Sequence, residues 1–356
     1  MASCILQYLK KDMATTKKTW ILRIVLISGT LISLYFVPWP ILKAKLTPLP
    51  DSVQEQINKA NDYGFDGIIV YVDKKNTEPS FYAAGYHNKK DKSPAKPDAL
   101  FKIASIDKLY TAVAIAKLIN AGHLSLERSL AEYFPDLAGK IENADKITLR
   151  MMLQHRSGIP NFTNTPNFWV DPPKDNQATL ERIYGLPGNF EPGEKYEYSN
   201  TNFLLISELI QQVTGKKKFQ YIKEKILEPL ELKNTFASIH DVNLDKVMSG
   251  YYVGVEDDIK STDYGSMLAT AGDVGIFLRA LNEGSLFEEE EQKIYSSIYT
   301  YDHTGLIPGY QSIAKYHSDI DTVVIQFTNT TDFEGYNWSL SEIMYNRIVK
   351  ILRKKE

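Results

Sequence analysis

The stretch "FKIASIDKLYTAVAIAKLINAGHL", residues 101–124, decides the fold because it joins a polar step to a long apolar run. Apolar residues recur at helical spacing from Leu109 to Ile119, densely enough to predict a helix that is buried on most sides. Ser105 and Lys108 are three residues apart where this helix is predicted to begin, so both side chains would project from one face of its first turn. A serine and a lysine at the start of a buried helix call for a chemical reason.

A lysine beside a serine can remove the hydroxyl proton if burial keeps the amine neutral, which turns the serine into a nucleophile. The start of a helix also directs backbone N–H groups to the same point, where they would stabilise a developing oxyanion. Spacing alone is weak evidence, because Ser-x-x-Lys begins at Ser93, Ser105 and Ser312. The first copy contains Pro94 and the third falls in a predicted strand, so only the copy at Ser105 puts both side chains on one helix face.

The composition excludes several classes of function. The 356-residue chain is 43% hydrophobic and 24% charged, which is enough apolar material for a sizeable core. Its formal net charge of -3, without a basic block interleaved with aromatic residues, argues against a nucleic-acid partner. The single cysteine, Cys4, cannot form an intrachain disulfide, and the six histidines show no HExxH-type pairing. We therefore expect no metal and no cofactor.

An apolar segment near the N-terminus predicts a single-pass membrane anchor. Residues 20–42, "WILRIVLISGTLISLYFVPWPIL", are apolar apart from Arg23 and a few hydroxyl residues, and their uncharged part is about long enough to cross a bilayer core. Basic residues are more numerous before this uncharged part than after it. The positive-inside rule therefore places residues 1–19 in the cytoplasm and the rest of the chain outside, on the periplasmic side. Secretion after signal cleavage is the alternative, and Met13 is a second candidate start.

The rest of the chain predicts an α+β body after a linker at residues 43–50. The segments "DGIIVYVDKK" and "SFYAAGYHNKK" predict two antiparallel strands. Residues 126–261 predict an inserted, mostly helical subdomain with Pro and Gly breaks. Near the end, "HTGLIPGYQSIAKY" and "DTVVIQFTN" predict two strands joined by the turn "HSDID", followed by a terminal helix. Strands at both ends imply an antiparallel sheet flanked by helices and assembled from distant parts of the chain.

Two further motifs follow the Ser105 helix along the chain. Tyr198-Ser199-Asn200 precedes an apolar helix, and His303-Thr304-Gly305 opens a predicted strand. A Ser-x-x-Lys, a Tyr-x-Asn about ninety residues later and a basic-Thr-Gly at a late strand resemble the penicillin-recognising serine hydrolases, specifically the class C β-lactamase and DD-peptidase branch. Four other stretches support the resemblance: "MLQHRSGIPNF", "PGEKYEYSN", "SMLATAGDVGIFLRAL" and "VVIQFTNTT".

The resemblance covers roughly residues 55–350 and implies a β-lactamase/transpeptidase-like serine hydrolase domain over residues 51–350. It implies that Ser105 is the acylated nucleophile and that Lys108 accepts its proton. Tyr198 would relay the proton to the leaving group, either as a phenolate or through a hydrogen bond to Lys108.

The same resemblance implies the substrate contacts. The side-chain amide of Asn200 would hold a backbone amide of the substrate, and the hydroxyl of Thr304 would bind a substrate carboxylate. Gly305 would let the substrate lie along the strand edge without a side-chain clash. The backbone N–H groups of Ser105 and Leu306 would form the oxyanion hole.

His303 bears on substrate choice. Many β-lactamases and DD-peptidases have a lysine there, whereas histidine occurs in some DD-carboxypeptidases, D-aminopeptidases and esterase-like relatives. A histidine with an ordinary pKa is mostly neutral at pH 7. We therefore expect carboxylate binding to be weaker or pH-dependent, which disfavours an efficient β-lactamase.

The sequence thus predicts an exported or membrane-anchored serine hydrolase with a small-molecule or peptide substrate. The expected substrate is a peptide that ends in or contains a D-amino acid, as for a DD-carboxypeptidase or a D-aminopeptidase. An esterase on small acyl esters and a β-lactamase are the alternatives within the enzyme class. A penicillin-binding sensor or scaffold is the alternative outside it. His155 is interpreted as a structural histidine, because this mechanism leaves no role for it. Phe168 and Trp169 are candidate pocket walls.

Overall fold

The computed structural model describes residues 2–354, with side chains for residues 18–354. Contacts divide the chain after Thr47 into two compact units. The first contains helices α1 (Ala2–Tyr35) and α2 (Trp39–Leu46). Within α1, Lys18–Tyr35 is apolar enough to cross a membrane, with a mean hydropathy of 1.3 and no buried residues. Its 18 residues span about 27 Å, close to the thickness of a hydrocarbon core. The predicted limits of anchor and linker stay predictions.

A six-stranded antiparallel sheet forms the centre of the second unit, in the order β3-β2-β1-β10-β9-β8. Its strands are β1 (Gly67–Lys74), β2 (Ser80–Asn88), β3 (Ser93–Pro94), β8 (His303–Ile307), β9 (Tyr310–His317) and β10 (Thr322–Thr328). Strand β1 pairs with β10 from Ile68 opposite Thr328 to Lys74 opposite Thr322. The prediction that distant parts of the chain form one sheet is therefore confirmed.

One strand prediction is wrong. The stretch "HTGLIPGYQSIAKY" forms two strands, β8 and β9, which pair as a hairpin with Ile307 opposite Tyr310. The turn consists of Pro308 and Gly309, and Gly309 has a φ of +80°, a conformation that glycine adopts at little cost. Pro-Gly is a strong turn signal, so the sequence does contain the information that separates these strands.

Five short strands form two smaller sheets. Strands β4 (Phe101–Lys102), β7 (Leu268–Ala269) and β5 (Thr235–Phe236) pair antiparallel, and β6 (Tyr251–Tyr252) pairs parallel with β11 (Thr330–Thr331). The strand β4 is important for the site, because it leads directly into the segment that carries Ser105.

Ten helices complete the described part of the second unit. They are α3 (Val53–Ile57), α4 (Asp107–Asn120), α5 (Leu130–Tyr133), α6 (Leu149–Leu153), α7 (Asn176–Glu181), α8 (Asn200–Thr214), α9 (Lys218–Ile222), α10 (Ala271–Glu283), α11 (Glu289–Ile298) and α12 (Asn337–Lys354). Together with the sheet they confirm the predicted α+β class, an antiparallel sheet flanked by helices.

Helix α4 is the core helix that the apolar periodicity predicts. Its residues Leu109, Tyr110, Val113 and Ile115 are fully buried. The ring of Tyr110 stacks on Phe277 of α10 with centroids 3.6 Å apart. Because a fully buried Leu or Ile side chain stabilises the fold by about 1.5–3 kcal/mol, α4 cannot shift without a large loss. The first turn of α4 is therefore a rigid support.

Candidate active site

Ser105 lies in a sharp turn between β4 and α4. The turn is one 3-10 segment, Ala104–Ile106, and α4 begins at Asp107, two residues later than predicted. Ala104 has a φ of +50°, an unfavourable conformation for a residue with a Cβ. Its N–H donates a hydrogen bond of 2.9 Å to the hydroxyl of Ser266, which helps to hold the strained turn. Such strain is often stored where a side chain must be presented to a ligand.

Gly305 provides the space for this turn. A Cβ at Gly305 would lie 2.5 Å from the carbonyl oxygen of Ile103, 2.9 Å from the Cβ of Ala104 and 2.3 Å from the hydroxyl of Ser312. A glycine is therefore needed for β8 to pack against the backbone that precedes Ser105. This packing is independent of the substrate contact predicted for Gly305, which stays a prediction.

Two side chains donate hydrogen bonds to the hydroxyl oxygen of Ser105. The Nζ of Lys108 donates a hydrogen bond of 3.0 Å to the Oγ of Ser105, and the hydroxyl of Tyr198 donates one of 2.7 Å to the same oxygen. Lys108 is 7% exposed. Among the ion pairs of residues 18–354, none joins Lys108 to a carboxylate. The predicted nucleophile thus lies between two groups that can exchange protons with it.

Asn200 is part of the same hydrogen-bond network. Its Oδ1 accepts a bond of 3.0 Å from the Nζ of Lys108, and its Nδ2 donates to the Oδ1 of Asn161 and the hydroxyl of Thr163 at 3.3 and 3.4 Å. These contacts fix which side of the amide faces the lysine. Asn161 was not predicted as a site residue, although it lies within "MLQHRSGIPNF", and only the fold shows that it faces Asn200.

His303 lies beside this network with both ring nitrogens bonded to the protein. The carbonyl oxygen of Thr304, 2.5 Å away, can only accept, so Nδ1 carries the hydrogen. The hydroxyl of Tyr299 then donates to Nε2 at 3.0 Å. Burial and the charge of Lys108 lower the pKa of His303 to about 4. His303 is therefore neutral near pH 7, and the expected pH dependence of carboxylate binding would fall below the neutral range.

The predicted residues border one cavity of about 560 Å³. Those among its lining residues are Ser105, Lys108, Tyr198, Asn200, His303, Thr304 and Leu306, and Gly305 lies between the last two in strand β8. The structure thus brings together side chains that the sequence separates by up to about two hundred residues.

Aromatic side chains form the outer wall of this cavity. They are Phe162, Phe168, Trp169, Tyr264, Phe333 and Trp338. Trp169 is at the centre, with ring centroids 4.9 Å from Phe168, 5.8 Å from Tyr264 and 5.9 Å from Phe333. The sequence singled out Phe168 and Trp169 but not the others, since nothing in the sequence shows that residues so far apart in the chain meet at one wall.

Two charged residues also border the cavity. Lys218 donates a hydrogen bond of 2.5 Å to a carboxylate oxygen of Asp107. A carboxylate near the start of a helix is favourable by itself, so the position of Asp107 needs no ion pair to explain it. The sequence does not show the ion pair with Lys218. Since this pair is neutral as a unit, Lys108 is the cation of the cavity lining without an acidic partner among the described residues. Within this part of the chain, no group of three or more metal-ligating side chains occurs.

Solved structures show which fold this is. The D-amino acid amidase from Ochrobactrum anthropi SV3, complexed with D-phenylalanine, superposes with a TM-score of 0.77 over 85% of this chain and 98% of that one, at 23% identity. A penicillin-binding protein from Bacillus halodurans superposes with a TM-score of 0.70 over 85% of this chain and 99% of that one, at 19% identity. These likenesses show the β-lactamase/transpeptidase-like fold.

Curated relatives match part of the chain. "Protein flp" of Staphylococcus aureus (strain MW2) is 32% identical over 152 residues, 42% of this chain and 30% of the relative. A protein of Salmonella agona (strain SL483), named provisionally as a D-alanyl-D-alanine carboxypeptidase, is 30% identical over 206 residues. These are 54% of this chain and 47% of the relative. The chain thus spans less than half the length of the curated relatives that it matches.

The family itself follows from a longer match. The model of the family described as Beta-lactamase matches residues 47–297, more than half of the chain. This range contains the predicted nucleophile, Ser105, and three side chains of its hydrogen-bond network, Lys108, Tyr198 and Asn200. The resemblance seen in the motifs is confirmed, and the chain belongs to the beta-lactamase family of serine hydrolases.

Proposed function

We propose that this protein is a serine hydrolase that works through an acyl-enzyme on Ser105 and acts on amides or peptides of D-amino acids. One observation carries the proposal: the Oγ of Ser105 is 3.0 Å from the amine of Lys108 and 2.7 Å from the hydroxyl of Tyr198, on the wall of a cavity large enough for a small peptide. A nucleophile and its base within hydrogen-bond reach are the requirement for covalent catalysis.

In acylation, the Oγ of Ser105 attacks the substrate carbonyl while its proton passes to the neutral form of Lys108. The backbone N–H groups of Ser105 and Leu306 would stabilise the oxyanion of the tetrahedral intermediate. The bond from carbonyl carbon to nitrogen then breaks, and the leaving amine takes a proton that Tyr198 delivers. The acyl group is left on Ser105.

Deacylation repeats these steps with water as the nucleophile. Tyr198 accepts a proton from the water, the water oxygen bonds to the acyl carbon, and the bond to the Oγ of Ser105 breaks as that oxygen takes back its proton from Lys108. Asn200 supports both halves, since its Oδ1 holds the amine of Lys108 in place and its other side is fixed by Asn161. The cycle uses side chains of this chain and water.

The polar end of the cavity favours a substrate without a free carboxylate. His303 is neutral and has both ring nitrogens bonded to Thr304 and Tyr299, and Lys218 is paired with Asp107. An incoming carboxylate would lose its hydration and meet the hydroxyl of Thr304 and the amine of Lys108, whose hydrogen bonds already go to Ser105 and Asn200, so only part of that cost is compensated. Among the names of relatives, D-amino acid amidase therefore fits this cavity better than D-alanyl-D-alanine carboxypeptidase.

The proposed location is the cell membrane, with the hydrolase unit on its outer side. The support is the apolar stretch Lys18–Tyr35, the excess of basic residues before it and the separate packing of the two units. A signal peptide that is cleaved after export would leave the same hydrolase unit free of the membrane. The mass of the mature protein from cells distinguishes the two.

Mass spectrometry of the intact protein tests the nucleophile. The purified chain and its Ser105→Ala variant are each mixed with a penicillin and with an activated D-phenylalanine ester, and the mass is followed over time. An adduct on the unaltered chain alone supports the acyl-enzyme. An equal adduct on Ser105→Ala refutes it, and the absence of any adduct or turnover supports a scaffold instead.

A matched pair of substrates tests the preference. Hydrolysis of D-alanyl-D-alanine and of D-alanyl-D-alanine amide is compared in the unaltered protein and in His303→Lys. We expect the amide to react faster in the unaltered protein and the preference to move toward the acid in the variant, because the lysine adds a cation at the polar end. Faster hydrolysis of the acid by the unaltered protein would contradict the preference while leaving the acyl-enzyme intact.

A further inference from the structure

His155 lies behind Tyr198 and borders a different cavity from that of the substrate. This second cavity, of about 390 Å³, is also lined by Tyr198 and His303, so the tyrosine separates the two spaces. The imidazole stacks on the phenol ring of Tyr198, with centroids 4.4 Å apart and 26° between the ring planes. His155 is only 3% exposed. Its place is unusual for a histidine that merely fills the core.

The same residue also binds the backbone on both sides of Tyr198. The N–H of Glu197 donates a hydrogen bond of 2.9 Å to the carbonyl oxygen of His155, and the N–H of Ser199 donates one of 3.1 Å to its Nδ1. The residue before Tyr198, its ring and the residue after it are thus all held by one histidine. In an extended segment without regular backbone pairing, these contacts determine where the phenol points.

The hydrogen bond from Ser199 also fixes the state of the ring. A backbone N–H can only donate, so Nδ1 has no hydrogen and Nε2 carries it. No protein atom among the described residues accepts from Nε2, which is fully buried beside the second cavity. A water molecule in that cavity would satisfy it. Burial and the charge of Lys108 lower the pKa of His155 to about 3, so the ring stays neutral and adds no charge beside Tyr198.

The backbone of His155 is shaped for this task. Its φ is +55°, in the left-handed region that few residues other than glycine and asparagine adopt. The neighbouring Gly158 also has a positive φ, of +77°. The turn between them, in "QHRSGI", brings the ring of His155 and its own carbonyl to the same tripeptide. A conformation of this kind persists only where surrounding contacts stabilise it.

We infer that His155 is a positioning residue for Tyr198: by holding residues 197–199 at three points, it sets the distance between the tyrosine oxygen and the Oγ of Ser105. The inference rests on the proposed function, in which Tyr198 moves protons. Because a misplacement of about 1 Å can cost a hundredfold in rate, loss of this support should affect the chemical steps and spare substrate binding.

Two variants each remove one part of the support. His155→Asn keeps an acceptor for Ser199 and tolerates the left-handed backbone, but loses the stacked ring. His155→Phe keeps a stacked ring but leaves the N–H of Ser199 unpaired. For each we expect kcat to fall about tenfold or more on the best D-amino acid amide, with KM within about threefold. A loss confined to KM would overturn the inference.

A double-variant cycle separates positioning from general damage to the fold. In the background of Tyr198→Phe the tyrosine hydroxyl is already absent. If His155 acts through that hydroxyl, adding His155→Asn to this background should lower kcat by less than about twofold. An equal fold-loss in both backgrounds would show that His155 does not act through the tyrosine hydroxyl. Turnover by the unaltered protein is the reference, so its absence would refute the proposed function and not this inference.

His87 provides the matched control. It is also buried, also has a pKa lowered by burial, and also has one ring nitrogen without a partner among the described residues, but it does not line either cavity. His87→Phe should lower the melting temperature as His155→Phe does while leaving kcat within about twofold. A tenfold loss of kcat in His87→Phe would mean that damage to the fold explains both results.

Nitrogen NMR of the unaltered protein tests the geometry even if the variants do not fold. The ring of His155, assigned through its contacts with the Tyr198 ring protons, should show a hydrogen on Nε2 and none on Nδ1 from pH 8 to pH 5. A hydrogen on Nδ1 would break the bond to Ser199 and overturn the inference.

Discussion

The two sides of the substrate cavity are built in different ways. The inner side, with Ser105, Lys108 and Tyr198, is attached to the start of a buried helix and to a segment held by His155. The outer side consists of aromatic rings from loops around residues 162–169, 264 and 333–338. The inner side needs fixed distances between few atoms, whereas the outer side needs only shape and apolar surface. Chemistry and substrate choice can therefore change independently.

The largest effect is expected when the nucleophile of the inner side is removed. Ser105→Ala should lower kcat by roughly ten-thousandfold or more, because Lys108 and Tyr198 then have no hydroxyl to activate. Steady-state hydrolysis of a D-amino acid amide measures this loss, and circular dichroism checks the fold. A loss of less than about tenfold would mean that the inner side is not where the reaction occurs.

Gly305→Ala tests how rigid the inner side must be. The added Cβ would meet the backbone of Ile103 at 2.5 Å and Ala104 at 2.9 Å, so the turn that carries Ser105 must shift. We expect a destabilisation of about 1–3 kcal/mol in urea unfolding and a fall in kcat of about tenfold or more.

Gly139→Ala is the control for this variant. Gly139 has a φ of +80° but open space around its Cβ position, so the change strains the backbone far from the turn. It should cost stability and leave kcat nearly unchanged. If Gly305→Ala keeps full activity, the fixed distances attributed to the inner side are not required.

Trp169→Ala tests the outer side. Removal of the central ring of the aromatic wall should lower kcat/KM about tenfold for an amide with an aromatic side chain and less than about threefold for D-alanine amide, because apolar contact with the larger side chain is lost. Trp169→Phe, which keeps a ring, should recover most of the difference. An equal loss for both substrates would assign Trp169 to the chemistry instead.

The smallest effect is the pH dependence of stability, and it concerns the two buried histidines near the inner side. The pKa of His303 is lowered to about 4 and that of His155 to about 3, against an ordinary value near 6.5. Below about pH 6.5 the unfolded chain therefore binds protons that the folded chain does not, so stability falls as the pH falls toward 4.

Melting temperatures at constant ionic strength measure this fall. His303→Gln should make it shallower, since one of the groups responsible is gone. An unchanged slope would mean that His303 is not neutral in the folded protein.

The residues that the structure brings together on the inner side could be named from motifs in the sequence. Ser105, Lys108, Tyr198, Asn200 and the residues of β8 must keep both their type and their local structure, so they form motifs. The roles assigned to them stay predictions, since their positions are known and their reactions are not. The sheet and the core helix α4 were predicted from strand and helix periodicity, which burial enforces.

The residues that escaped prediction act through the fold. Asn161 and Tyr299 act on other side chains, and Phe333 joins the wall by long-range packing, so the sequence does not show which residues they contact. The strand pattern continues on both sides of Pro308 and Gly309, so periodicity alone predicts one strand where the structure has two. The mechanism predicted from the sequence leaves no role for His155, because a sequence cannot show that its ring stacks on Tyr198.

The pairing of β1 with β10 has a consequence for the order of assembly. Three of the six strands of the main sheet, β8, β9 and β10, begin after residue 302, so the ribosome must release the chain as far as Thr328 before the complete sheet can form. Contacts between distant segments form slowly and leave strand edges exposed in the meantime. Gly305 packs on the Ser105 turn only when β8 arrives, so an incomplete chain would contain the nucleophile without its support. Activity would thus appear only after β10 has been synthesised, and a chain that crosses a membrane unfolded would first become a hydrolase on the far side.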